Sequence, residues 1–307
     1  MPQATDQDPS RKQLGKLLAR FQVTSGKGFK LGACPTRCAV PGMAGQAAAK
    51  AALQAGVQRL ARRQELLYAH STWSLLVVLQ AMDAGGKDGT IKHVMSGVNP
   101  QGVAVTTFKA PGPDDLAHDF LWRVSKALPA RGMIGIFNRS HYEEVLVARV
   151  RPELLARQHL PPDVASGKQF WANRLQSIAN FERHLVRQGT RVLKVFLHIS
   201  PEEQRRRLLA RLDDPAKRWK FSLDDLEDRA NWDAYMAAYE DAIAATASKD
   251  APWLVAPADD KGIARVLVVA AINQALDGLD LKPIQPSREQ EAAVAEARQR
   301  LQPQRDP

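Results

Sequence analysis

Short apolar blocks punctuate this chain at 75–80, 103–108, 133–137, 192–198 and 253–256. They are rich in Val, Leu, Ile and Phe, a pattern that predicts buried strands. Between them, apolar residues recur at helical spacing and predict helices over 87–96, 113–127, 141–149, 170–188 and 261–279. Regular alternation of strand and helix predicts a five-stranded parallel sheet covered by helices on both faces. Ligands then gather at the carboxyl ends of the strands. Ahead of the first block, Leu53, Val57, Leu60 and Leu67 share one helical face. They predict one long helix over 44–67, lying on the domain or on a partner chain.

Three segments break the alternation. Residues 1–42 are polar, basic and rich in Gly and Pro, and read as a flexible basic N-terminal extension. Residues 43–282 form the domain proper. Within it, Ser200, Pro201 and Glu203 make a helix start, followed by Arg205, Arg206, Arg207 and Arg211. The charged stretch DPAKRWKFSLDDLEDR at 214–229 comes next, interrupted by Pro215. Together they read as a helical lid over the site, at about 200–235. The tail at 283–307 is rich in Gln, Glu, Arg and Ala, and reads as a marginal helix or as disordered.

Composition changes this picture in one respect. The 307 residues carry a formal net charge of +10, which favours a polyanionic partner: nucleic acid, anionic lipid or polyphosphate. No run approaches the ~18 apolar residues of a membrane span, so no membrane partner is expected. Met1 to Gln13 lacks a secretory apolar region, and the cytoplasm is the expected location. Cys34 and Cys38 are the only cysteines; without a second ligand pair they make a poor zinc site and read as two thiols, with a disulfide as the alternative, unexpected in cytosol. His93, His118, His141 and His198 lack metal spacing and read as surface or structural residues.

The candidate chemistry starts at 74–94, SLLVVLQAMDAGGKDGTIKHV. A buried strand runs into Gly85, Gly86, Lys87, Asp88, Gly89 and Thr90, and then into a helix. Glycines there let backbone N–H groups face an anion, the helix N-terminus adds its dipole, and Lys87 adds a full charge. This is a P-loop layout with departures: Ala81 replaces the first glycine, and Asp88 replaces the Ser/Thr that touches Mg²⁺. Asp83 inside the loop is available to the metal instead. A second apolar strand ends in Asn138, Arg139 and Ser140. Asn138 offers a neutral oxygen where such enzymes carry an acid, and Arg139 suits bidentate phosphate binding. A third cluster is the lid, with Arg205, Arg207, Arg211, Lys217, Arg218 and Lys220 around Trp219.

These residues, in order, resemble the polyphosphate kinase 2 family of polyphosphate:nucleotide phosphotransferases. The resemblance spans roughly 59–279 and rests on these motifs: LQAMDAGGKDGTI at 79–91, NPQGV at 99–103, FKAPG at 108–112, FLWR at 120–123, FNRSHYE at 137–143, FE at 181–182, KVFLHIS at 194–200, PAKRWK at 215–220 and APW at 251–253. It implies a three-layer, thymidylate-kinase-like P-loop fold with a helical lid. It also implies transfer of a phosphoryl group from inorganic polyphosphate to AMP or ADP with Mg²⁺, for which Mn²⁺ can substitute. Catalysis is then expected from Asp83, Lys87 and Arg139. Polyphosphate is expected on Gly85 to Thr90, Arg139, Arg205, Arg211, Lys217 and Lys220; the nucleotide on Asp83, Asn99, Lys109, Arg123, Asn138 and Glu143; the metal on Asp83 and Asn138. The sequence NRSHYE, in place of DRSWY, resembles the subgroup that acts on both nucleoside mono- and diphosphates. A homo-oligomer is expected, and nucleic acid is not an expected partner. Two alternatives stand beside this reading: an ATP-dependent nucleotide kinase, disfavoured by the missing Ser/Thr after Lys87, and a non-catalytic polyanion-binding protein.

Overall fold

The computed structural model describes residues 9–40, 43 and 45–301. The sheet has six strands in the order β1-β6-β5-β2-β4-β3. The predicted five are β2 (Ser74–Gln80), β3 (Val103–Thr107), β4 (Ile134–Asn138), β5 (Thr190–His198) and β6 (Trp253–Pro257), all mutually parallel. The sixth, β1 (Gln22–Val23), runs antiparallel along the edge of β6. β2 lies between β4 and β5, so the chain crosses in opposite directions on either side of it; such a switch point opens a crevice at the strands' carboxyl ends.

Every residue of β2 is buried, because helices cover both faces. Its side chains alternate between two cores. Leu75, Val77 and Leu79 meet α2 (Gln46–His70) and α13 (Lys261–Asp277) through Leu60, Leu67 and Leu267. Leu76 and Val78 meet Ile178 of α9 (Phe170–Arg187) and Ile243 of α12 (Trp232–Thr246). The predicted long helix is therefore α2, and it lies on the domain's own α13.

Several sequence expectations are corrected. The N-terminal segment is not a loose extension over its described part. Helix α1 (Pro9–Phe21) buries Leu17, Leu18 and Phe21, β1 covers the β6 edge, and Leu31 is 3% exposed. Pairing explains this, since an uncovered edge strand leaves backbone groups unsatisfied. The helix expected over 113–127 is two pieces, α4 (Pro113–Leu116) and α5 (Trp122–Lys126). Asp119 interrupts it by accepting from the Leu121 N–H at 2.9 Å, a local bond that competes with the helix. Residues 141–149 form a 3₁₀ turn, His141–Glu144, capped by Ser140, and then α6 (Val147–Val150). Two short helices that were not anticipated follow, α7 (Pro152–Ala156) and α8 (Pro162–Ala165).

The remaining helices are α3 (Lys87–Val94), α10 (Pro201–Asp213), α11 (Asp224–Ala230) and α14 (Arg288–Leu301). Ser200 caps α10 through the Glu203 N–H, as its sequence suggests. α10 and α11 form the excursion over the crevice. α12 returns to the body, burying Tyr235, Tyr239 and Ile243. α14 has no buried residue. Among the described residues, no helix is long and apolar enough to cross a membrane.

Candidate active site

The carboxyl ends of β2, β3 and β4 are level: Leu79 pairs with Asn138, and Asn138 with Thr107. A cleft of ≈ 1170 Å³ opens above them, between these ends and the lid. The 81–86 loop forms its floor. Gly86 adopts φ +102°, a left-handed conformation that suits glycine, and leads directly into α3. A Cβ at Gly85 would lie 2.5 Å from the Ala81 Cβ. Ala81, the departure from the usual motif, is thus accommodated because residue 85 has no side chain.

Lys87 is the first residue of α3 and donates from Nζ to the Ala81 carbonyl at 2.8 Å. Burial lowers its pKa, reinforced by the nearby Arg139 cation. It is therefore partly enclosed, not facing open solvent. Asp83 accepts from Arg139 at 2.9 Å, and Arg139 also reaches Glu143 at 3.4 Å. Arg139 holds φ +62°, strained for a residue with a Cβ. Its turn is fixed by its own N–H on the Leu79 carbonyl and by the Ser140 hydroxyl, which accepts from the Tyr142 N–H and from Gln80. Beneath it, Tyr142 donates to Glu182, which is also paired with the buried Lys194.

Asn138 points its amide at Asp88, donating at 2.9 Å. Asp88 also meets Lys220 of the lid at 3.2 Å. Burial would raise the Asp88 pKa, but these two hydrogen bonds outweigh it and the net shift is downward. The partner of Asp83 among carboxylates is Asp228 of α11, which the sequence reading missed. Its pKa is pushed up to about 6, first by burial and then by the adjacent Asp83, against a hydrogen bond from Tyr235. Two carboxylates held side by side in the cleft fit a divalent cation. No group of three or more potential metal ligands occurs among the described residues. The ion would therefore share its coordination with substrate oxygens, as Mg²⁺ commonly does.

Of the residues singled out in the sequence, Asp83, Gly85 to Thr90, Lys109, Arg123, Asn138, Arg139, Glu143, Arg211, Lys217 and Lys220 line the cleft. Asn99 and Arg205 do not. Asn99 caps a 3₁₀ turn by accepting from the Gln101 N–H, and Arg205 turns outward to pair with Glu202 at 2.7 Å. Arg206, Lys261 and Arg265 line the cleft in its place. Lys261 and Arg265 open α13, four residues apart at the start of a helix that is then apolar through Ile272. That isolated cation pair was the available signal. Burial, then the nearby Arg207, lowers the pKa of both. Trp219 is 77% exposed in the lid, with the Lys220 Nζ 5.2 Å from its ring centre. His141 and His198 are buried, in keeping with structural roles.

A P-loop at the switch point, an arginine on the neighbouring strand and a cationic helical lid define a P-loop phosphotransferase. The family model described as Polyphosphate kinase 2 matches residues 43–283. An AMP/ADP-polyphosphate phosphotransferase of Meiothermus ruber is 49% identical over 252 residues, 82% of this chain and 90% of its own. An ADP-polyphosphate phosphotransferase of Rhodopseudomonas palustris is 46% identical over 282 residues, 92% of this chain and 97% of its own. The crystal structure of polyphosphate kinase 2 from Arthrobacter aurescens superposes with a TM-score of 0.80 at 41% identity, covering 93% of this chain and 98% of that one. The chain belongs to the polyphosphate kinase 2 family.

Proposed function

We propose that this protein transfers the terminal phosphoryl group of inorganic polyphosphate to AMP and to ADP. The observation that carries this is the row of cations beside the P-loop: Arg206, Arg211, Lys217, Lys220, Lys261 and Arg265, more positive charge than one nucleotide's phosphates call for. A phosphate chain laid along them brings its end group to the P-loop N–H groups and Lys87. Arg139 neutralises the equatorial oxygens in flight. Lys109, Arg123, Asn138 and Glu143 border the opposite side, where we place the acceptor nucleotide.

The reaction asks little covalent work of the protein. An oxygen of the acceptor phosphate bonds to the terminal phosphorus, and the bridging P–O bond to the chain breaks. The shortened polyphosphate leaves with its electron pair, balanced by Lys217 and Lys220. Asp83 and Asp228 would hold Mg²⁺, or Mn²⁺ in its place, which supplies charge neutralisation to phosphate oxygens. Asp83 also orients Arg139 through their ion pair.

The test is purified protein with Mg²⁺, polyphosphate and AMP, without ATP, products being separated by ion exchange. We expect ADP first and ATP from that ADP in the same vessel. A time course that stops at ADP with polyphosphate left over would remove the dual acceptor. Turnover seen only when ATP is the donor would replace polyphosphate altogether. We place the protein in the cytoplasm, a reducing setting in which Cys34 and Cys38 would stay as thiols. Assembly from several copies goes with this reading as an expectation, and light scattering measures it.

A further inference from the structure

We propose that Arg207, although a lid cation lining the cleft, is a positioning residue that sets the P-loop, not a ligand of polyphosphate. Its side chain is 5% exposed. Every N–H of the guanidinium is already directed at an acceptor. Nε donates to Glu203 at 2.6 Å. Nη1 donates to the carbonyls of Ala84 and Gly85 at 3.2 and 2.9 Å. Nη2 donates to the carbonyls of Ala258 and Asp259. Nothing is left over for a phosphate.

The choice of partners has a chemical consequence. A P-loop binds an anion only when its N–H groups converge, so its carbonyls must point elsewhere. Carbonyl oxygens turned toward the donor would repel it. Arg207 draws the Ala84 and Gly85 oxygens onto a fixed cation, which leaves the loop's N–H edge for the substrate. Ala84 itself sits at φ +58°, a strained position for a residue with a Cβ. The clamp offsets that strain.

The other end of the clamp is anchored by the N-terminal segment, which lies outside the residues matched by the family model. Thr36 and Asp259 bond reciprocally. The Thr36 hydroxyl donates to the Asp259 carboxylate at 2.8 Å, and the Asp259 N–H donates to the Thr36 carbonyl at 2.9 Å. The same carboxylate accepts from the Ser200 N–H at 2.8 Å, at the start of α10. A continuous path therefore runs from Thr36 through Asp259 and Arg207 to the P-loop. It ties the first turns of α10 to the body, so only the lid beyond Arg207 is left to open and close.

The experiment compares Arg207→Lys with Arg207→Met in the full-length protein. It reads steady-state kinetics across salt concentrations and hydrogen exchange of the P-loop peptide. Lysine keeps the charge but cannot span both pairs of carbonyls. Positioning predicts that both variants lose kcat alike, on the order of 100-fold, the scale of a small misplacement of reacting groups. The polyphosphate KM should rise alike in both variants, its salt dependence should stay within roughly twofold of wild type, and P-loop amides should exchange faster in both. A lysine variant with normal kcat, beside a methionine variant with raised polyphosphate KM and a shallower salt slope, would overturn the proposal and make Arg207 a phosphate ligand. Normal kcat in both variants would overturn it too. Should both fail to fold, Thr36→Val decides. Its kcat should fall about threefold, the scale of one hydrogen bond, at unchanged melting temperature, and Thr36→Ser should restore it. An unaffected Thr36→Val would overturn the clamp. Arg207's role in turnover presupposes the phosphotransferase reading, whereas its effect on amide exchange does not, so an inactive wild type would sink that reading alone.

Discussion

The two sides of the cleft handle charge differently. On the side proposed for the donor, Lys261 and Arg265 form no ion pair among the described residues. Lys217 and Lys220 pair at exposed positions, with Asp214 and Asp88, whereas Arg206 and Arg211 pair with the more enclosed Glu203 and Asp225. Across the cleft the arginines are tied up. Arg139 holds Asp83 and Glu143, Arg123 holds Asp115 and Glu144, and Arg151 holds Glu153, Asp224, Glu227 and Asp228. Exposed ion pairs are worth at most about 1 kcal/mol, so Lys217 and Lys220, with the unpaired Lys261 and Arg265, are cheaply released to a polyanion. The paired side keeps its geometry and carries surplus carboxylates. A long phosphate chain needs charge more than shape, whereas a nucleotide acceptor and a metal need shape and local negative charge.

The largest effects should come where the two sides meet. Lys87→Ala and Asp83→Ala should each lower turnover by at least ~100-fold, the scale seen when one preorganised charge is removed from a transition state. Near-normal turnover with polyphosphate in either variant would dissolve the comparison, because the phosphoryl group would then be passing elsewhere.

Neutralising Lys217 and Lys220 together sharpens it. The polyphosphate KM should rise by ~10-fold, the nucleotide KM should barely move, and the salt dependence of donor binding should flatten. Equal damage to both KM values would mean that the lid cations serve closure of the whole cleft.

A smaller effect is expected from Asn138→Asp, which places a second carboxylate against Asp88 where the amide now donates at 2.9 Å. Repulsion should raise the pKa of one of the two and pull on Lys220. ADP brings more negative charge than AMP, so the ratio of ADP to AMP turnover should fall severalfold (~3-fold for ~0.7 kcal/mol). An unchanged ratio would show that the amide does not tune acceptor length.

The smallest effect concerns stability. Asp228, raised to about 6, favours its protonated form in the folded state. The stability this contributes is complete below the ordinary carboxylate range and is lost as pH rises through about 6. Without metal, the melting temperature of Asp228→Asn relative to wild type should therefore climb between about pH 5 and about pH 7.5, by ~2 °C or more. Added Mg²⁺ should stabilise wild type more at the higher pH and the variant little at either. A pH-independent difference would argue against the Asp83–Asp228 pair.

How far the site was readable depended on whether a residue's direction is set locally. Lys87, Asp83 and Arg139 follow directly from strand ends and a glycine loop, and they stand where the motif puts them. Arg205 and Arg207 differ by two positions, roughly 200° around a helix, so one helix cannot turn both to the cleft. Only the docking of α10 shows that Arg206 and Arg211 line the cleft, that Arg207 lies under the P-loop and that Arg205 faces out. Asn99 sits in a motif yet lies outside the cleft lining, where it caps a turn. Asp228 is brought to Asp83 from far along the chain, a pairing that no local pattern announces.

The chain's own order of residues determined the alternation of strands and helices, the P-loop at the end of β2, the lid and the excess of positive charge. These depend on periodicity, glycine backbone freedom and composition, all local properties. Tertiary structure alone decided three things. It made the N-terminal segment part of the sheet, because β6 had an open edge to cover. It selected which lid cations face the cleft, because helix docking chooses one face. And it joined Thr36, Asp259, Arg207 and the P-loop carbonyls, because buried polar groups must find partners wherever the fold brings them.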